Sequence, residues 1–187
     1  MTVRSIGGTP VTIRLAMKME DSLQAFAIRA ACFIGELGLP FSEEFDGHDY
    51  GATHVVASVG EEPIGAVRVR WFQSFAMTER LAVLRRFRGH NVGQFLLERC
   101  RTLAASRGCG MLHAQVLPHD IGYWEKQDWR RLVTEAMGKA APGQIVSMVQ
   151  AVDPGKPLPE PEAPEVIVLR RDARLGSASM PNGPIVN

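Results

Sequence analysis

The sequence predicts a mixed α/β domain with a mostly antiparallel sheet and helices on both faces of that sheet. Residues 54–59 and 64–71 have the composition of strands. The Gly60-Glu61-Glu62-Pro63 segment between them is typical of a reverse turn, which indicates an antiparallel hairpin. Residues 23–34 and 93–107 carry apolar side chains at helical spacing. A fully parallel, doubly wound sheet would contradict this fold class.

The elements before the hairpin are a strand and a helix. Residues 11–15 alternate apolar and polar side chains and predict the first strand. Asp21 or Ser22 is the expected N-cap of the first helix, because short polar side chains accept hydrogen bonds from free backbone N–H groups there. The apolar stripe of this helix comprises Leu23, Phe26, Ala27, Ala30 and Ile34.

The elements after the hairpin complete the sheet. A strand is predicted from Ala76 or Thr78 to Leu84, followed by a basic turn and the helix at residues 93–107. Gly108 suits the left-handed position just after that helix. The later elements are a strand at residues 111–117, a short helix at residues 120–126, and strands at residues 129–134 and 144–151.

The chain is expected to hold one domain, residues 1–153, because 187 residues suit a single domain with an appendage. After Asp153 the segment at residues 154–162 is rich in Pro and Glu, a composition that forms neither a helix nor a central strand. Residues 154–187 are therefore predicted to be a linker and a partly disordered tail. Residues 166–169 could add an edge strand, within the protein or to a neighbouring subunit, which leaves a homodimer open.

The charge, the cysteine content and the lack of long apolar runs argue against several functional classes. The formal net charge is +1, so no global field attracts nucleic acid or an anionic membrane. The three cysteines show no CxxC spacing, which argues against a thiolate zinc site and a disulfide framework, and no metal is expected. Neither a signal peptide nor a membrane span is apparent, so a cytoplasmic protein is expected.

The sharpest functional signal is a strand that leads through a basic, glycine-containing turn directly into a helix. Such a helix start presents unpaired backbone N–H groups and the positive end of the helix dipole, and together these bind phosphate. Gly89 and Gly93 allow the backbone to approach an anion closely. The alternatives are an ordinary basic turn before a surface helix or a dinucleotide site, and the glycine pattern of the latter is absent.

The same segment resembles the acyl-CoA signature of the GNAT N-acetyltransferases. In that signature a strand ending L-x-V precedes Q/R-x-x-G-x-G/A at the start of a helix. Here Leu81-Ala82-Val83 and Arg88-Gly89-His90-Asn91-Val92-Gly93 take those places, and the segment from Tyr123 to Trp129 resembles the family's F-Y-E-K-x-G-F. The resemblance covers residues 11–151.

The resemblance implies a fold and an activity. The sheet would be splayed at its centre, between the strand ending in Val83 and the strand at residues 111–117. The protein would transfer an acetyl or other short acyl group from acyl-CoA to the amine of a small molecule. The pantetheine arm would pair with the main chain near Leu81 and Val83, and the pyrophosphate would lie on the turn. The implied donor-binding residues are Leu81, Val83, Arg88, Gly89, His90, Asn91, Val92, Gly93 and Gln94.

Three departures from the family pattern bear on catalysis. Asn91 replaces the first glycine of G-x-G, although Asn tolerates a left-handed backbone. Asp128 replaces a glycine, and Trp124 replaces the tyrosine that protonates the leaving thiolate in many members. An indole N–H does not titrate usefully, so Tyr123 becomes the candidate acid if the register differs by one residue. A CoA-binding protein without catalysis is the alternative function.

Glu79 is the expected general base, directly or through a water molecule, because on a regular strand it shares a face with Leu81 and Val83. A solvated carboxylate or a partner of Arg80 is the alternative role. His113 is the second candidate for a catalytic role, although a lone histidine on a strand is more often a core residue.

An acidic loop with aromatic residues follows the first helix. Together with residues on either side it resembles the R…F…E-x-D-x-x-D…R arrangement of acyl-homoserine-lactone synthases, which ElaA-like GNAT members share in part. By that analogy the carboxylates would receive the acceptor, and an N-acyl amino acid or acyl-homoserine-lactone synthase is a further alternative. A solvated capping loop is the other interpretation. The residues that carry this resemblance are Arg29, Phe33, Glu44, Asp46, Asp49 and Arg68 or Arg70.

Overall fold

A computed structural model describes residues 5–132, 145–156 and 158 of the chain. Its centre is an eight-stranded sheet with the strand order β1-β2-β3-β4-β5-β6-β8-β7. The strands are β1 (Ser5–Ile6), β2 (Thr9–Leu15), β3 (Thr53–Val59), β4 (Glu62–Trp71), β5 (Phe75–Val83), β6 (Met111–Val116), β7 (Arg130–Arg131) and β8 (Val146–Ala151).

Helices lie between the strands and on both faces of the sheet. The α-helices are α1 (Met19–Arg29), α2 (Phe41–Glu44), α3 (Val92–Ser106) and α4 (Ile121–Glu125). Helix α1 continues without a break as a π-helix over Ala30–Glu36. The predicted fold class, a mixed α/β domain with a mostly antiparallel sheet, is confirmed.

The sheet is splayed between β5 and β6, as the resemblance implied. Every other neighbouring pair is antiparallel, whereas β5 and β6 are parallel and pair only at Phe75–Met111, Ala76–Leu112 and Met77–His113. Beyond these three pairs the two strands have no ladder, so an opening forms between the second half of β5 and β6. An unpaired strand edge of this kind can accept an extended ligand.

The two faces of β4 and β5 pack against different helices. On one face, α1 and the π-helix pack on a cluster that includes Val56, Ala66 and Ala82. On the other face, α3 packs on a cluster that includes Val67 and Val83. The alternation of side chains along each strand separates these clusters. The short connection from the end of β5 at Val83 to the start of α3 at Val92 keeps the start of this helix near the opening.

The start of the first helix differs from the prediction. Its N-cap is Lys18, and Asp21 lies in the first turn, where its Oδ2 accepts hydrogen bonds from the backbone N–H groups of Met17 (3.3 Å) and Lys18 (3.4 Å). The carboxylate thus satisfies the free N–H groups from inside the helix rather than from the cap position.

The apolar stripe of the first helix was also predicted wrongly. Leu23 is exposed, and the buried positions include a charged residue, which breaks the apolar pattern on which the prediction relied. Along α1 and the π-helix the buried residues are Ala25, Ile28, Arg29, Cys32 and Phe33.

Near the C-terminus the structure covers part of the predictions. Strand β7 spans only Arg130–Arg131 of the predicted residues 129–134, and residues 133 and 134 lie outside the described part. The predicted tail and the edge strand at residues 166–169 also lie outside it. The domain boundary at residue 153 therefore stays a prediction.

We expect Gly65→Ala to lower the free energy of unfolding by about 1–3 kcal/mol, because overpacking a tight contact forces its neighbours apart. A Cβ at Gly65 would lie 3.0 Å from Val92 Cγ1 and 3.2 Å from both the Ala82 carbonyl oxygen and Leu96 Cδ1. Gly122→Ala is the matched control, since its Cβ would meet no atom within 4 Å. Urea denaturation measures the stability of both variants. A Gly65→Ala protein as stable as the wild type would contradict the close packing of α3 against β4.

Candidate active site

A β-bulge in β5 determines how the site is built. Arg68 pairs with Glu79 and Ala66 pairs with Ala82, so that the two residues Arg80 and Leu81 together oppose the single residue Val67. The backbone of Arg80 has a φ of 52°, in the left-handed region that favours glycine. The extra residue resets the alternation of side chains along the strand.

The bulge corrects the prediction that Glu79 shares a face with Leu81 and Val83. Leu81 and Val83 pack in the cluster that faces α3. Glu79 accepts a hydrogen bond from Arg68 Nε (2.9 Å) on the other face, and it is 3% exposed. The prediction assumed a regular strand, and the extra residue at Arg80 reverses the direction of Glu79 relative to the residues that follow.

Glu79 belongs to a buried network that joins the sheet to the acidic loop. Arg68 donates to Asp46 at 2.7 and 2.8 Å and lies 3.3 Å from Asp49. Arg29 donates to Glu44 Oε1 at 2.6 Å and to Asp49 Oδ1 at 2.6 Å. Two arginines, one from a helix and one from a strand, therefore hold three carboxylates of the loop.

Two more arginines complete the network. Arg80 Nη2 donates to the carbonyl oxygen of Glu43 at 2.6 Å, and its Nε lies 2.9 Å from Glu44 Oε2. Arg70 Nη1 donates to Glu79 Oε1 at 3.3 Å. The four guanidinium groups belong to Arg29, Arg68, Arg70 and Arg80, and the four carboxyl groups to Glu44, Asp46, Asp49 and Glu79.

The network distinguishes between the two interpretations of the acidic loop. The interpretation as a solvated capping loop is wrong, because Glu44 is fully buried and Asp46 and Asp49 are mostly buried. The carboxylates are also engaged by arginines within the chain, so they do not form an empty site for an acceptor amine. Buried charges require such pairing, since an unpaired buried charge costs several kcal/mol or more.

The network lowers the pKa of both Asp46 and Asp49. Burial by itself raises the pKa of Asp46, but the hydrogen bonds and the charge of Arg68 outweigh it and hold the pKa well below its usual range. For Asp49 the opposing effects are burial and the hydrogen bonds and charge of Arg29, and the pKa is again lowered. Both carboxylates are therefore ionised at neutral pH.

Burial is the largest cause of the pKa shifts of Glu44 and His54. Burial raises the pKa of Glu44 in spite of the charges of Arg29 and Arg80. Burial and then the positive charge of Arg29 lower the pKa of His54, although Asp49 lies 3.7 Å away and acts in the other direction. His54 is consequently neutral at neutral pH.

His113 lies where the ladder between β5 and β6 ends. Its side chain is 1% exposed and packs edge-on near Phe75, and neither ring nitrogen has a hydrogen-bond partner among the described residues. Burial lowers its pKa to about 4, so the imidazole is neutral at physiological pH. His113 lies beside the opening, and its low pKa makes it a weak proton acceptor.

The turn predicted to bind phosphate, residues 88–93, has left-handed backbone at the two positions where its sequence allows it. Gly89 has a φ of 79° and Asn91 a φ of 59°, so Asn91 adopts the left-handed conformation expected where the family has glycine. The first intrahelical bond of α3 runs from the Phe95 N–H to the Asn91 carbonyl at 3.1 Å. The N–H groups of the preceding helical residues therefore have no acceptor within the helix.

The side chain of Arg88 does not extend from this turn towards an anion. Its Nε donates to the Val83 carbonyl at 3.0 Å and its Nη2 donates to Glu36 at 2.7 Å. The Cys32 thiol also donates to the Val83 carbonyl, at 3.6 Å, and burial raises the pKa of this thiol to about 11. Phosphate binding at the turn therefore relies on backbone N–H groups rather than on Arg88.

The downstream aromatic segment separates into a core residue and a half-buried one. Trp124 is 3% exposed and packs against Trp129, with their ring centroids 4.5 Å apart. Tyr123 is half-buried beside Trp124. Asp128 has a φ of 62°, which explains why the family places glycine at this position.

Neither a membrane span nor a metal centre emerges from the described residues. No helix in this part of the chain is long and apolar enough to cross a bilayer. Over the same residues, no group of three or more His, Cys, Asp or Glu side chains has the geometry of a metal site.

The splayed sheet, the left-handed turn and the start of α3 together define an N-acyltransferase domain. The model of the acetyltransferase (GNAT) family matches residues 23–129, and the chain belongs to this family. It is thus an enzyme of the acyl-CoA-dependent N-acyltransferase class.

Individual relatives agree with this assignment. The N-acetyltransferase YjcF of Bacillus subtilis (strain 168) is 28% identical over 118 residues, which cover 63% of this chain and 84% of YjcF. Escherichia coli ElaA has a similar fold, with a TM-score of 0.63 at 15% identity over 75% of this chain and 99% of ElaA. An aminoglycoside 6′-N-acetyltransferase solved with coenzyme A gives a TM-score of 0.62 at 12% identity over 79% and 98% of the two chains.

Two functional features were missed by reasoning from the sequence. The strand around Arg80 contains no glycine or proline to signal a bulge, and Arg80 was considered only as a partner of Glu79. The contact between Glu36 and Arg88 joins residues 52 positions apart, which no local pattern predicts. The excess of arginines on β4 and β5 next to an acidic loop was the available signal for the network.

We expect the stability of the protein to fall as the pH drops from about 6.5 to about 4, in part because of His113. The unfolded chain binds a proton at this residue near its ordinary pKa of 6.5, whereas the folded protein binds it only near 4. In this window the unfolded state holds more protons, so stability rises with pH by up to about 1.4 kcal/mol per unit.

His113→Leu removes this proton, and urea denaturation at several pH values should show a flatter pH dependence. His119→Leu is the control, because its side chain is 69% exposed. If the stability of His113→Leu depends on pH as strongly as that of the wild type, the burial of His113 does not lower its pKa as stated.

Proposed function

We propose that the protein transfers an acetyl or other short acyl group from acyl-CoA to the amine of a small molecule. The single observation that carries this proposal is the position of the opening between β5 and β6, directly before the left-handed turn and the start of α3. An extended arm and an anionic group on one ligand fit these two features side by side. Acyl-CoA carries both, as its pantetheine arm and its pyrophosphate.

The donor would be held chiefly by the backbone. The pantetheine amides would pair along the edge of β5 that faces the opening, and the pyrophosphate would accept hydrogen bonds at the start of α3. The Val83 carbonyl already accepts from Arg88, so Arg88 acts as a positioning residue that fixes the end of β5 against the turn. The proposed donor-binding residues are Leu81, Val83, Arg88, Gly89, His90, Asn91, Val92, Gly93 and Gln94.

In the proposed reaction the acceptor nitrogen attacks the thioester carbonyl carbon directly. The new C–N bond forms, the C–S bond breaks with its electron pair leaving on sulfur, and the ammonium loses a proton to a base. Holding both substrates beside the opening removes much of the entropic barrier. Glu79 is our candidate base, acting through a water molecule, and Tyr123 is our candidate for protonating the thiolate.

Glu79 is preferred over His113 as the base. Burial lowers the pKa of His113 to about 4, so the imidazole accepts a proton poorly at neutral pH. The Glu79 carboxylate lies on the same face as the acidic loop and is held by Arg68 and Arg70. Those arginines fix its direction, which favours a positioned water as the immediate proton acceptor.

The acidic loop supports a small acceptor. It is fastened to the sheet by buried ion pairs, and a fixed loop favours a small amine over the surface of a folded protein. Because the loop carboxylates are already paired, they give no support to an acyl-homoserine-lactone type of acceptor site. The alternative of a CoA-binding protein without catalysis disagrees with membership of the acetyltransferase family, although Trp124 stands at the family's tyrosine position.

We expect Asn91→Val to weaken the binding of CoA by about 10-fold or more, because a β-branched residue at a positive φ costs roughly 1–2 kcal/mol and distorts the turn. Asn91→Gly is the matched control and should bind at least as well as the wild type. Isothermal calorimetry with CoA measures both. If folded Asn91→Val binds CoA as tightly as the wild type, the turn is not part of the donor site.

We expect Glu79→Gln to lower kcat by about 10²–10⁴-fold with little change in CoA affinity, the usual size of a general-base contribution. Thiol release from acetyl-CoA over a panel of amines measures kcat. Arg70→Gln is the control, since it breaks an ion pair of Glu79 but keeps the carboxylate. If Glu79→Gln is as active as the wild type at every pH, the base lies elsewhere.

A further inference from the structure

His113 is a buried side chain that the proposed reaction does not use. It is 1% exposed, and neither ring nitrogen has a hydrogen-bond partner in the described part of the chain. A buried polar atom without a partner destabilises a folded protein, so native structures keep few of them. The ring nitrogens of His113 therefore require a partner that the described residues do not supply.

The neighbours of the His113 side chain are apolar. Met77 of β5 and Val149 of β8 pair with His113 in register on the two adjacent strands. The ring centroid of Phe75 lies 6.1 Å from that of the imidazole. Phe75, Met77 and Val149 belong to one buried apolar cluster. A leucine would suit these neighbours better than an imidazole, because its side chain has no polar atoms to satisfy. Packing therefore does not account for a histidine at this position.

His113 and Glu79 lie on the two strands that border the opening in the sheet. The Met77–His113 pair is the last of the three pairs between β5 and β6, so the opening begins directly after it. Residues that pair in register point to the same face of a sheet. Glu79 shares that face with Met77, because it follows two residues later and precedes the bulge. The candidate base and the imidazole therefore flank the opening on one face.

The backbone of His113 is held from both sides. Thr78 Oγ1 of β5 donates a hydrogen bond to the His113 carbonyl oxygen at 3.2 Å. On the other side, β6 pairs with β8 along its whole length, from Met111–Ala151 to Val116–Val146. A hydrogen-bond donor held in place in this way stabilises developing charge without a cost in reorganisation.

The protonation state of His113 suits a hydrogen-bond donor. Burial lowers the pKa of His113 to about 4, so the ring is uncharged at neutral pH. A neutral imidazole donates through one ring nitrogen and can accept through the other. A neutral histidine of this kind can polarise a carbonyl group, and the absence of water around buried ring nitrogens strengthens the hydrogen bond. The burial that makes His113 a poor base therefore leaves it a permanent donor.

We propose that the imidazole N–H of His113 donates a hydrogen bond to the thioester carbonyl oxygen of the acyl donor and stabilises the negative charge that develops there. The inference rests on the proposed function, because it needs an acyl thioester in the opening. When the acceptor nitrogen attacks, the π-electron pair of the C=O bond moves onto oxygen, and the His113 proton stays on the ring. When that pair returns, the C–S bond breaks and sulfur leaves with its electron pair, while the base takes a proton from the nitrogen.

Substitutions at His113 test this role through kcat and the Kd of CoA. His113→Leu removes the donor and should lower kcat by about 10²–10³-fold, the usual effect of losing one such donor, with little change in the Kd. His113→Gln keeps an N–H group and should retain a kcat within about tenfold of the wild type. The loss in His113→Leu should be the same at every pH from about 6 to 9, because a neutral imidazole with a lowered pKa does not titrate there. Met77→Leu is the control, since it changes the neighbouring packing without touching a donor.

Infrared spectroscopy of bound acetyl-CoA with a heavy carbon isotope at its carbonyl gives a second readout, which a packing role would not change. A hydrogen bond to the oxygen weakens the C=O bond and lowers its stretching frequency. The bound carbonyl should therefore absorb at a lower frequency in the wild type and in His113→Gln than in His113→Leu.

The outcomes separate this inference from the proposed function. Equal carbonyl frequencies in the wild type and His113→Leu overturn the hydrogen bond and leave the acyl-CoA donor intact. Equal losses of kcat in His113→Leu and His113→Gln would show a packing role, a loss that varies with pH would show a base, and either result overturns the inference. If the wild type binds acetyl-CoA but acylates no small amine, the proposed acceptor is wrong, and the carbonyl frequencies still decide the inference. If acetyl-CoA does not bind, the proposed donor and the inference are both wrong.

Discussion

The left-handed backbone of Arg80 is the conformation on which the buried network beneath the acidic loop depends. A non-glycine residue with a φ of 52° is strained by roughly 1–2 kcal/mol, and the strain persists only where surrounding contacts hold it. The Arg80 side chain supplies those contacts, through the Glu43 carbonyl and Glu44. The bulge in turn lets Glu79 and Arg80, which are adjacent in sequence, both join the network on the face that α1 covers.

The network is also linked, through α1 and the π-helix, to the turn that precedes α3. Arg29 holds the acidic loop at the end of α1, and the π-helix that continues from α1 ends at Glu36, which pairs with Arg88 at the donor turn. π-Helical segments are uncommon and frequently mark functional sites. One continuous helical segment therefore contacts the acidic loop through Arg29 near its middle and the proposed donor turn through Glu36 at its end.

The sequence predicted the parts of the fold that follow local patterns. The strands follow from alternation, α3 from its apolar stripe, and the left-handed turn at Asn91 from the place of glycine in the family signature. The resemblance grouped Arg29 and Arg68 with the acidic loop, but local patterns did not predict that these side chains and Arg80 are buried, because an arginine looks like a surface residue until its distant partners are known. The direction of Glu79 was wrong for the same reason, since the bulge that sets it has no marker in the sequence.

Amide hydrogen exchange with and without acetyl-CoA, followed by mass spectrometry, tests the central claim most directly. The claim is that the edge of β5 and the start of α3 hold the donor through backbone groups. It predicts slower exchange in peptides that cover residues 81–94, and little change in α1, which packs on the opposite face. Saturating acetyl-CoA that leaves exchange at residues 81–94 unchanged, while slowing it elsewhere, would contradict the claim.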